Sequence, residues 1–306
     1  MDNIDKKLLK KISGINTEIL TGAYNVRKNG KGLSRNVTEN INIVTKKDVS
    51  GIDIFVKENT KNEKIHIPVI ITESGLTDLV YNDFYIGKDS EVEIIAGCGI
   101  HNEKENDSTH NGIHRFFLEE GSKVKYSEKH YGEGEGIGKK ILNPVTEVTL
   151  KKGSMLEMNT IQIKGVDSTI RETKGILEEN TSFVIYEKIM THDNQFAKTI
   201  FEVNLNGENS STHLVSRSVA TDNSKQEFVS KIYGNSKCFA HVECDAIIKD
   251  NAKITAIPEI TANYVDANLI HEAAIGKIAN EQLIKLMTLG LSEKEAEKEI
   301  IKGFLK

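Results

Sequence analysis

The stretch Asn180-Thr-Ser-Phe-Val-Ile-Tyr186 contains the pattern from which the fold is predicted. A polar residue and a small residue come first, and alternating apolar, β-branched and aromatic residues follow. Alternation with a period of two indicates a β-strand, and the Asn-Thr pair before it indicates a turn. The same strand pattern recurs between about residues 50 and 262. Further examples are residues 52–56, 92–95, 124–126 and 201–205.

The turn-like pair returns at long and similar intervals along the chain. Its small residue recurs after 32, 32, 27, 29, 26 and 16 residues. The pairs are Asp89-Ser90, Gly121-Ser122, Gly153-Ser154, Asn180-Thr181, Asn209-Ser210, Asn235-Ser236 and Asn251-Ala252. A recurring period of this size without a long helix predicts a solenoid of stacked β coils. A β-sandwich is the alternative, but it needs turn signals every 8–12 residues or so.

The N-terminal residues are predicted to form a short amphipathic helix. Apolar residues at helical spacing share one face of residues 1–14, and Gly14 suits the C-terminal cap. The polar segment that follows, up to residue 45, is predicted to be irregular. The chain is thus expected to have three regions. They are an N-terminal region at 1–45, a β-helix core at 46–262 and a helical region at 263–306.

Two helices are predicted in the C-terminal region. Asn280 is expected to cap the first helix, which ends at Gly290. Ser292 and Glu295 have the spacing of a capping box for the second. This helical hairpin has two compatible interpretations: a lid over the last β coil, whose edges are otherwise unpaired, and a docking element for a partner.

Composition excludes several classes of function. The chain has 306 residues and a formal net charge of −5, which argues against a nucleic-acid-binding surface. No apolar run is long enough to span a bilayer, and the first residues lack the features of a signal peptide. Three widely spaced cysteines do not make a disulfide framework. We therefore expect a cytoplasmic protein with reduced thiols and no membrane association.

Cys244, His271 and Glu272 are the first candidates for a metal site. Thiolate, imidazole and carboxylate together can bind a transition metal. Acidic neighbours on both sides of Cys244 are expected to raise its pKa. A buried structural cysteine is therefore the alternative for this residue. The glycine-rich run at 132–140 lacks the Gly-Lys-Ser/Thr ending of a phosphate-binding loop, so no nucleotide-hydrolysing site is predicted.

Cys98 lies in the second candidate site. Its two flanking glycines favour an accessible, reactive thiol. A zinc site in a β-solenoid enzyme is the alternative function, with the ligands Cys98, His101, His110 and His114. Cys238 is interpreted as a strand residue without a role.

Two runs alternate charged and small residues, at 216–220 and at 224–228. Solvated faces of a sheet explain such runs in most cases. If the charged side chains point inward instead, they line a polar interior. A polar interior would suggest a conduit through the solenoid.

Several motifs together resemble the SufB/SufD family, scaffold proteins of the SUF iron–sulfur cluster assembly system. The motifs are residues 141–146, 224–228, 243–245, 271–273 and 290–296. The resemblance implies a right-handed parallel β-helix whose helical C-terminal part docks SufC, an ABC-type ATPase. It also implies pairing of two such chains through their β-helices, with a transient iron–sulfur cluster formed where they pair. ATP hydrolysis is then the work of the partner, and this chain is expected to be a scaffold and not an enzyme.

The resemblance also implies roles for individual residues. Cys244, His271 and Glu272 match cluster and iron ligands of SufB. Cys98 matches the cysteine that accepts sulfur, supplied by a cysteine desulfurase or sulfurtransferase. The chain departs from the longer bacterial pattern in its N-terminal part, and Ile270 replaces an acidic residue. With the ligand set present, we expect a homodimer in place of a SufB–SufD heterodimer. Flavin binding, reported for SUF complexes, has no readable motif here.

Overall fold

The computed structural model describes residues 1–14 and 21–306. Most of this chain consists of β-strands of about ten residues, joined by tight turns. The elements in chain order are α1 (Asn3–Ser13), β1 (Ala23–Lys28), β2 (Lys31–Asn36), β3 (Ile41–Thr45), β4 (Gly51–Val56), β5 (Lys61–Ile71), β6 (Thr77–Ile86), β7 (Glu91–His101), β8 (Ser108–Leu118), β9 (Lys123–Glu133), β10 (Lys140–Leu142), β11 (Val145–Leu150), β12 (Met155–Lys164), β13 (Ser168–Leu177), β14 (Ser182–Thr191), β15 (Phe196–Leu205), β16 (Ser211–Ala220), β17 (Lys225–Gly234), β18 (Phe239–Ile248), β19 (Lys253–Ala262), β20 (Asn268–Gly276), α2 (Asn280–Thr288) and α3 (Glu293–Phe304).

The strands form two facing sheets of stacked coils, which confirms the predicted β-solenoid. Sheet A has the order β2-β1-β5-β7-β9-β12-β14-β16-β18-β20, and sheet B runs β19-β17-β15-β13-β10-β8-β6-β4-β3 with β11 continuing β10. Successive strands of a sheet are parallel except at the β1–β2 and β3–β4 pairs. Met155 pairs with Lys123 on one side and with Ser182 on the other, so the coil length changes from 32 to 27 residues as the sequence spacing predicts.

The turns between coils have the chemistry that the sequence predicts. Five of the predicted polar or glycine positions have a positive φ: Asp89, Gly121, Gly153, Asn180 and Asn209. Asparagine, aspartate and glycine tolerate this left-handed conformation best. The small residue that follows each of them is buried against the next coil. Asn235 and Asn251 do not have a positive φ.

Alternate residues of each strand point into the solenoid. The main apolar core lies between the two sheets and includes the stacked rings of Phe84 and Phe116, whose centroids are 4.4 Å apart. Aromatic and branched side chains from both sheets fill most of the interior. Burial of this apolar surface stabilises a fold in which each coil contacts mainly its two neighbours.

Near the N-terminal end of the solenoid, a helix covers part of the outer face of sheet A. Helix α1 is amphipathic as predicted, with Gly14 at its C-cap, and it packs Leu8, Leu9 and Ile12 onto sheet A. The prediction of irregular structure before residue 46 is wrong for its described part, because β1, β2 and β3 form strands there. Residues 15–20 of that segment lie outside the described residues.

The C-terminal end is not covered by any of the residues that the structure describes. Strands β19 and β20 are the last strands of their sheets, and most of their residues are exposed. β20 falls within the region predicted to be helical, so the β structure extends further than predicted. The α2–α3 hairpin does not lie over this end. It lies against the flank of the solenoid, and there Lys249 Nζ contacts Glu297 Oε2 at 2.6 Å.

The helix ends agree with the sequence except at one position. Ala279 is the N-cap of α2 and no side chain caps this helix, so the predicted cap at Asn280 is wrong. The capping box of Ser292 and Glu295 is confirmed. Among the residues that the structure describes, no helix is long and apolar enough to cross a membrane.

Candidate functional site

Cys98 lies on β7 with its side chain inside the solenoid, where it is 2% exposed. Its flanking glycines face outward, toward α1. A Cβ at Gly97 would lie 3.0 Å from Ile12 Cβ, and one at Gly99 would lie 3.2 Å from Leu8 Cδ2. The glycines therefore make room for the helix and do not expose the thiol. The prediction of an accessible Cys98 is wrong.

A small cavity adjoins Cys98 inside the solenoid. Its polar lining consists of His110, His114, Glu128 and His130. A Cβ at Gly112 would stand 3.1 Å from His110 Nε2 and 3.4 Å from His114 Nε2, so the missing side chain keeps this space open. Burial raises the pKa of Cys98 well above its usual value, and Asp78 and Glu128 raise it further. The thiol therefore needs a proton acceptor, and imidazoles line the cavity beside it.

A line of buried charged groups leads from this cavity toward the C-terminal end. Arg171 Nη1 donates to Glu128 Oε2 at 2.6 Å, and Arg171 Nη2 lies 3.2 Å from His130 Nδ1. On the other side, Arg171 Nε lies 3.8 Å from Glu187 Oε1. Ser216 Oγ donates to Glu187 Oε2 at 2.9 Å. All five residues are at most 4% exposed, so the interior of the solenoid is polar along this line.

The two carboxyl groups beside Arg171 differ in protonation behaviour. Burial raises the pKa of Glu187 and outweighs the opposing effect of the arginine. At Glu128, His130 and Arg171 together outweigh burial, and the pKa lies well below its usual value. The guanidinium thus stands between one carboxylate that stays ionised and one that holds a proton more readily.

Cys244 lies at the end of this line. It pairs in register with Ser216 across β16 and β18, and both side chains are buried. Burial raises the pKa of Cys244 to about 12, and Glu187 and Asp245 contribute to the rise. The prediction that an acidic neighbour raises the pKa of Cys244 is therefore confirmed for Asp245. Only a metal or another nearby cation would make this thiol a thiolate near neutral pH.

Strand β20 places the predicted His-Glu pair on opposite faces of sheet A. His271 pairs with Val242, on the inward face that also carries Cys244. Neither ring nitrogen of His271 has a hydrogen-bond partner, and burial lowers its pKa. Glu272 points outward, with Oε1 3.5 Å from His241 Nε2. The structure brings His271 to the face of Cys244 and leaves Glu272 on the other side.

A single chain does not assemble a metal site from these residues. Within residues 1–14 and 21–306, no three His, Cys, Asp or Glu side chains converge closely enough to hold a metal ion. The zinc alternative also fails. It requires His101 beside Cys98, but His101 lies on the outer face with Nε2 3.1 Å from Glu103 Oε1.

Arg171, Glu128 and Glu187 are not among the residues predicted from the sequence. The alternation of inward and outward positions along a strand could have identified Arg171 from the sequence. On β13, buried positions alternate, and counting back in steps of two from Leu177 reaches Arg171. A charged residue at an inward position of a core strand is rare, and this rarity marks it as a site candidate.

The two charged runs have the predicted solvated faces. Arg217, Lys225 and Glu227 do not lie at buried positions, whereas Ser216 and Gln226 do. Part of the interior is nevertheless polar, because these neutral side chains and the buried charges further back line it.

Cys238 lies in the turn before β18 and not on a strand as predicted. Like Cys244, it belongs to the main apolar core, but carboxylates contribute to the pKa of Cys244 and not to that of Cys238. Burial raises its pKa. It therefore serves as a matched control for the other two thiols.

The fold and the site together define a class of protein: a β-solenoid in which a line of buried polar groups runs through a mainly apolar interior between two thiols, and whose last coil the described residues leave exposed. Residues 73–304 match the family described as SUF system FeS cluster assembly, SufBD core domain. The chain belongs to this family, and its role lies in iron–sulfur cluster assembly.

Individual relatives agree with this assignment. The chain is 30% identical over 258 residues to an iron-sulfur cluster assembly SufBD family protein of Methanocaldococcus jannaschii, covering 82% of this chain and 79% of that protein. It is 30% identical over 259 residues to a protein of the same description from Pyrococcus horikoshii, covering 83% of this chain but 57% of that protein. Iron-sulfur cluster assembly protein SufB of Bacillus subtilis is 33% identical over 101 residues, 32% of this chain and 22% of that protein.

The imidazole of His114 is expected to make stability depend on pH. Burial lowers its pKa from 6.5 to about 4. Protonation therefore favours the unfolded chain. The contribution of neutral His114 to the free energy of unfolding is fully present above pH 6.5 and declines as the pH falls toward 4. The decline amounts to about 3 kcal/mol.

Urea unfolding across this pH range tests the expectation. His114→Asn should flatten the fall in unfolding free energy below pH 6.5 compared with the wild type. His192→Asn is the control, because His192 lies at the surface beside Asp193. Equal pH dependence in His114→Asn and the wild type would show that this imidazole does not resist protonation.

Proposed function

We propose that this chain is a scaffold on which an iron–sulfur cluster is assembled, with sulfur entering at Cys98 and iron and sulfur combining at Cys244. The observation that carries the proposal is the buried polar line between these two thiols. Protein interiors of this kind are normally apolar, and each buried charge needs a partner or a function. Cluster iron and sulfide are the cargo here and not resident cofactors.

The polar line suits the movement of sulfur. Five strand-to-strand steps separate β7 from β18 in sheet A, a span of about 24 Å. No direct thiol-to-thiol exchange bridges such a distance, so the outer sulfur of a Cys98 persulfide has to leave as hydrosulfide. A thiol reductant supplies the two electrons, which returns Cys98 to the thiol and oxidises the reductant to a disulfide. Hydrosulfide is anionic, and along the way Arg171 offers positive charge while the neighbouring imidazoles offer hydrogen-bond donors.

The uncovered last coil supports pairing with a second chain. Its exposed apolar residues include Ile257, Ile260, Val265 and Ile270. Unpaired strand edges with apolar side chains are normally covered by a partner. We propose that this partner is a second copy of the chain, and that Cys244 of one copy faces His271 of the other. Glu272 then acts from the outer face near the rim of the interface.

The α2–α3 hairpin is the proposed docking element for an ABC-type ATPase of the SufC kind. Helix α2 has no buried residue, and its exposed apolar side chains include Ile284 and Met287. An amphipathic helix with an uncovered apolar face binds well in a partner's groove. ATP hydrolysis in the partner would move this hairpin and thereby open the pairing interface.

Sulfur acceptance and chemical reconstitution separate the roles of the thiols. Cys98→Ala is expected to accept little or no sulfur from a cysteine desulfurase, because it lacks the nucleophile. The same variant should still form cluster anaerobically from ferrous iron and inorganic sulfide, because the ligands at the other end remain. Radiolabelled sulfur transfer and labile-sulfide assays measure the two activities.

Cys238→Ala is the matched control and is expected to retain both activities. Equal loss of both activities in Cys98→Ala would refute the separation of sulfur entry from cluster assembly.

A further inference from the structure

Two histidines and a glutamate lie side by side on the outer face of sheet A. His213 on β16 and His241 on β18 pair in register, and their ring centroids are 5.2 Å apart. Glu272 on β20 brings Oε1 to 3.5 Å from His241 Nε2. Three adjacent parallel strands therefore present three potential ligands on one side of the sheet.

One of these ligands lacks a hydrogen-bond partner. His241 Nε2 is buried and accepts or donates no hydrogen bond. Leaving a buried polar nitrogen unpaired is costly, and native proteins seldom do so without a reason. His213 opens onto a groove that is also lined by Glu243 and by the cationic residues Lys188, Arg217 and Lys306, so an ion from solvent can reach this histidine.

We propose that His213, His241 and Glu272 bind a ferrous ion on this outer face. Two imidazoles and one carboxylate with open coordination positions are the ligand set of many non-haem ferrous sites. The three groups do not yet converge on one point within the described chain. The side chain of Glu272 is 66% exposed, so rotation about its own bonds can close the site.

The position of the site relates it to the inward face. His241 lies three residues before Cys244 on the same strand, a distance of about 10 Å along β18. The ion is thus held across one sheet from the thiol at which sulfur arrives. This step of the inference rests on the proposed function. Rotation of the Glu272 side chain from the outer site toward the rim would transfer the iron to the pairing interface.

Anaerobic calorimetric titration with ferrous iron alone tests the site. The titration uses full-length protein with Cys244→Ser and His271→Ala, which removes the inward ligands. This background is expected to bind one ferrous ion per chain. Adding His213→Ala or His241→Ala should weaken binding at least about tenfold. Adding His192→Ala, a surface imidazole remote from the site, should leave it unchanged.

Two results would overturn the site. One is unchanged binding after His213→Ala and His241→Ala, and the other is complete loss of binding in the Cys244→Ser, His271→Ala background itself. Unfolding curves of each variant verify that it folds. Failure of the proposed function looks different, because wild-type protein would then bind ferrous iron at the outer site and form no cluster when sulfide is added.

Discussion

A dimer that pairs one Cys244→Ser chain with one His271→Ala chain is expected to assemble about half the cluster of the wild-type dimer. Either variant paired with itself is expected to assemble close to none. In a two-fold interface each site takes its thiolate from one chain and its imidazole from the other. The mixed dimer therefore loses both ligands at one site and keeps both at the other.

The expectation follows from the last two strands of sheet A. Cys244 and His271 share the inward face, at the end of the solenoid where most residues of β20 are exposed. Ala273 pairs with Cys244 in register, so only a methyl group on that strand stands beside the thiol. The unpartnered ring nitrogens of His271 are available to a metal that a second chain helps to bind.

The reciprocal dimer is the control. A wild-type chain paired with a chain that carries both substitutions has the same ligand count, but each of its two sites lacks one ligand. It is expected to form little cluster. Differential affinity tags isolate both mixed dimers, and anaerobic reconstitution followed by iron and labile-sulfide analysis measures them. The opposite result would contradict the proposal. If the reciprocal dimer assembled half the wild-type amount of cluster, and the dimer of one Cys244→Ser chain with one His271→Ala chain assembled none, the whole site would lie within one chain.

The stacking of coils is predictable because its chemistry is local. Each turn needs a residue that tolerates positive φ, such as Asn180 or Gly153, and then a small residue that fits beneath the next coil. Both requirements recur once per coil and are visible in the sequence. Up to Asn235 the spacing of these pairs therefore predicts the coil length to within a few residues. The last interval of 16 residues does not, because Asn251 lies in the turn from β18 to β19, at the opposite edge of the solenoid.

The N-terminal strands are not predictable in the same way. All residues of β2 are exposed, so this strand has no apolar alternation. A register shift between Val26 and Arg27 also interrupts the pairing of β1 with β2. These segments form strands because they pair with the edge of a sheet. Their own sequence does not indicate that this edge lies next to them.

The candidate site is predictable in its residues and not in its surroundings. The sequence identifies Cys98, but its flanking glycines favour an exposed thiol only if nothing packs on them. In the structure, the remote helix α1 packs there. Likewise, adjacent residues such as His271 and Glu272 on a strand must face opposite ways, so they cannot both meet Cys244 within one chain.

Replacing Arg171 with methionine is expected to destabilise the fold by about 3–5 kcal/mol. The guanidinium is the cation that bridges Glu128 and Glu187, and all three residues are almost fully buried. Without it, Glu128 becomes a buried charge that only histidines can offset. Lys231→Met is the control, because the exposed Lys231–Glu259 pair is expected to contribute at most about 1 kcal/mol. Urea unfolding at pH 7 measures both.

A second substitution separates loss of charge balance from loss of packing. Glu128→Gln in the Arg171→Met background removes the uncompensated charge and is expected to restore part of the lost stability, although the same change alone destabilises the wild type. The Arg171→Met defect should also be smaller at pH 5 than at pH 8, because removal of the arginine raises the pKa of Glu128 and acid then neutralises it. A defect no larger than that of Lys231→Met, with no rescue by Glu128→Gln, would mean that the interior does not depend on this arginine for charge balance. In that case the polar line between the two thiols would lose its main physical support.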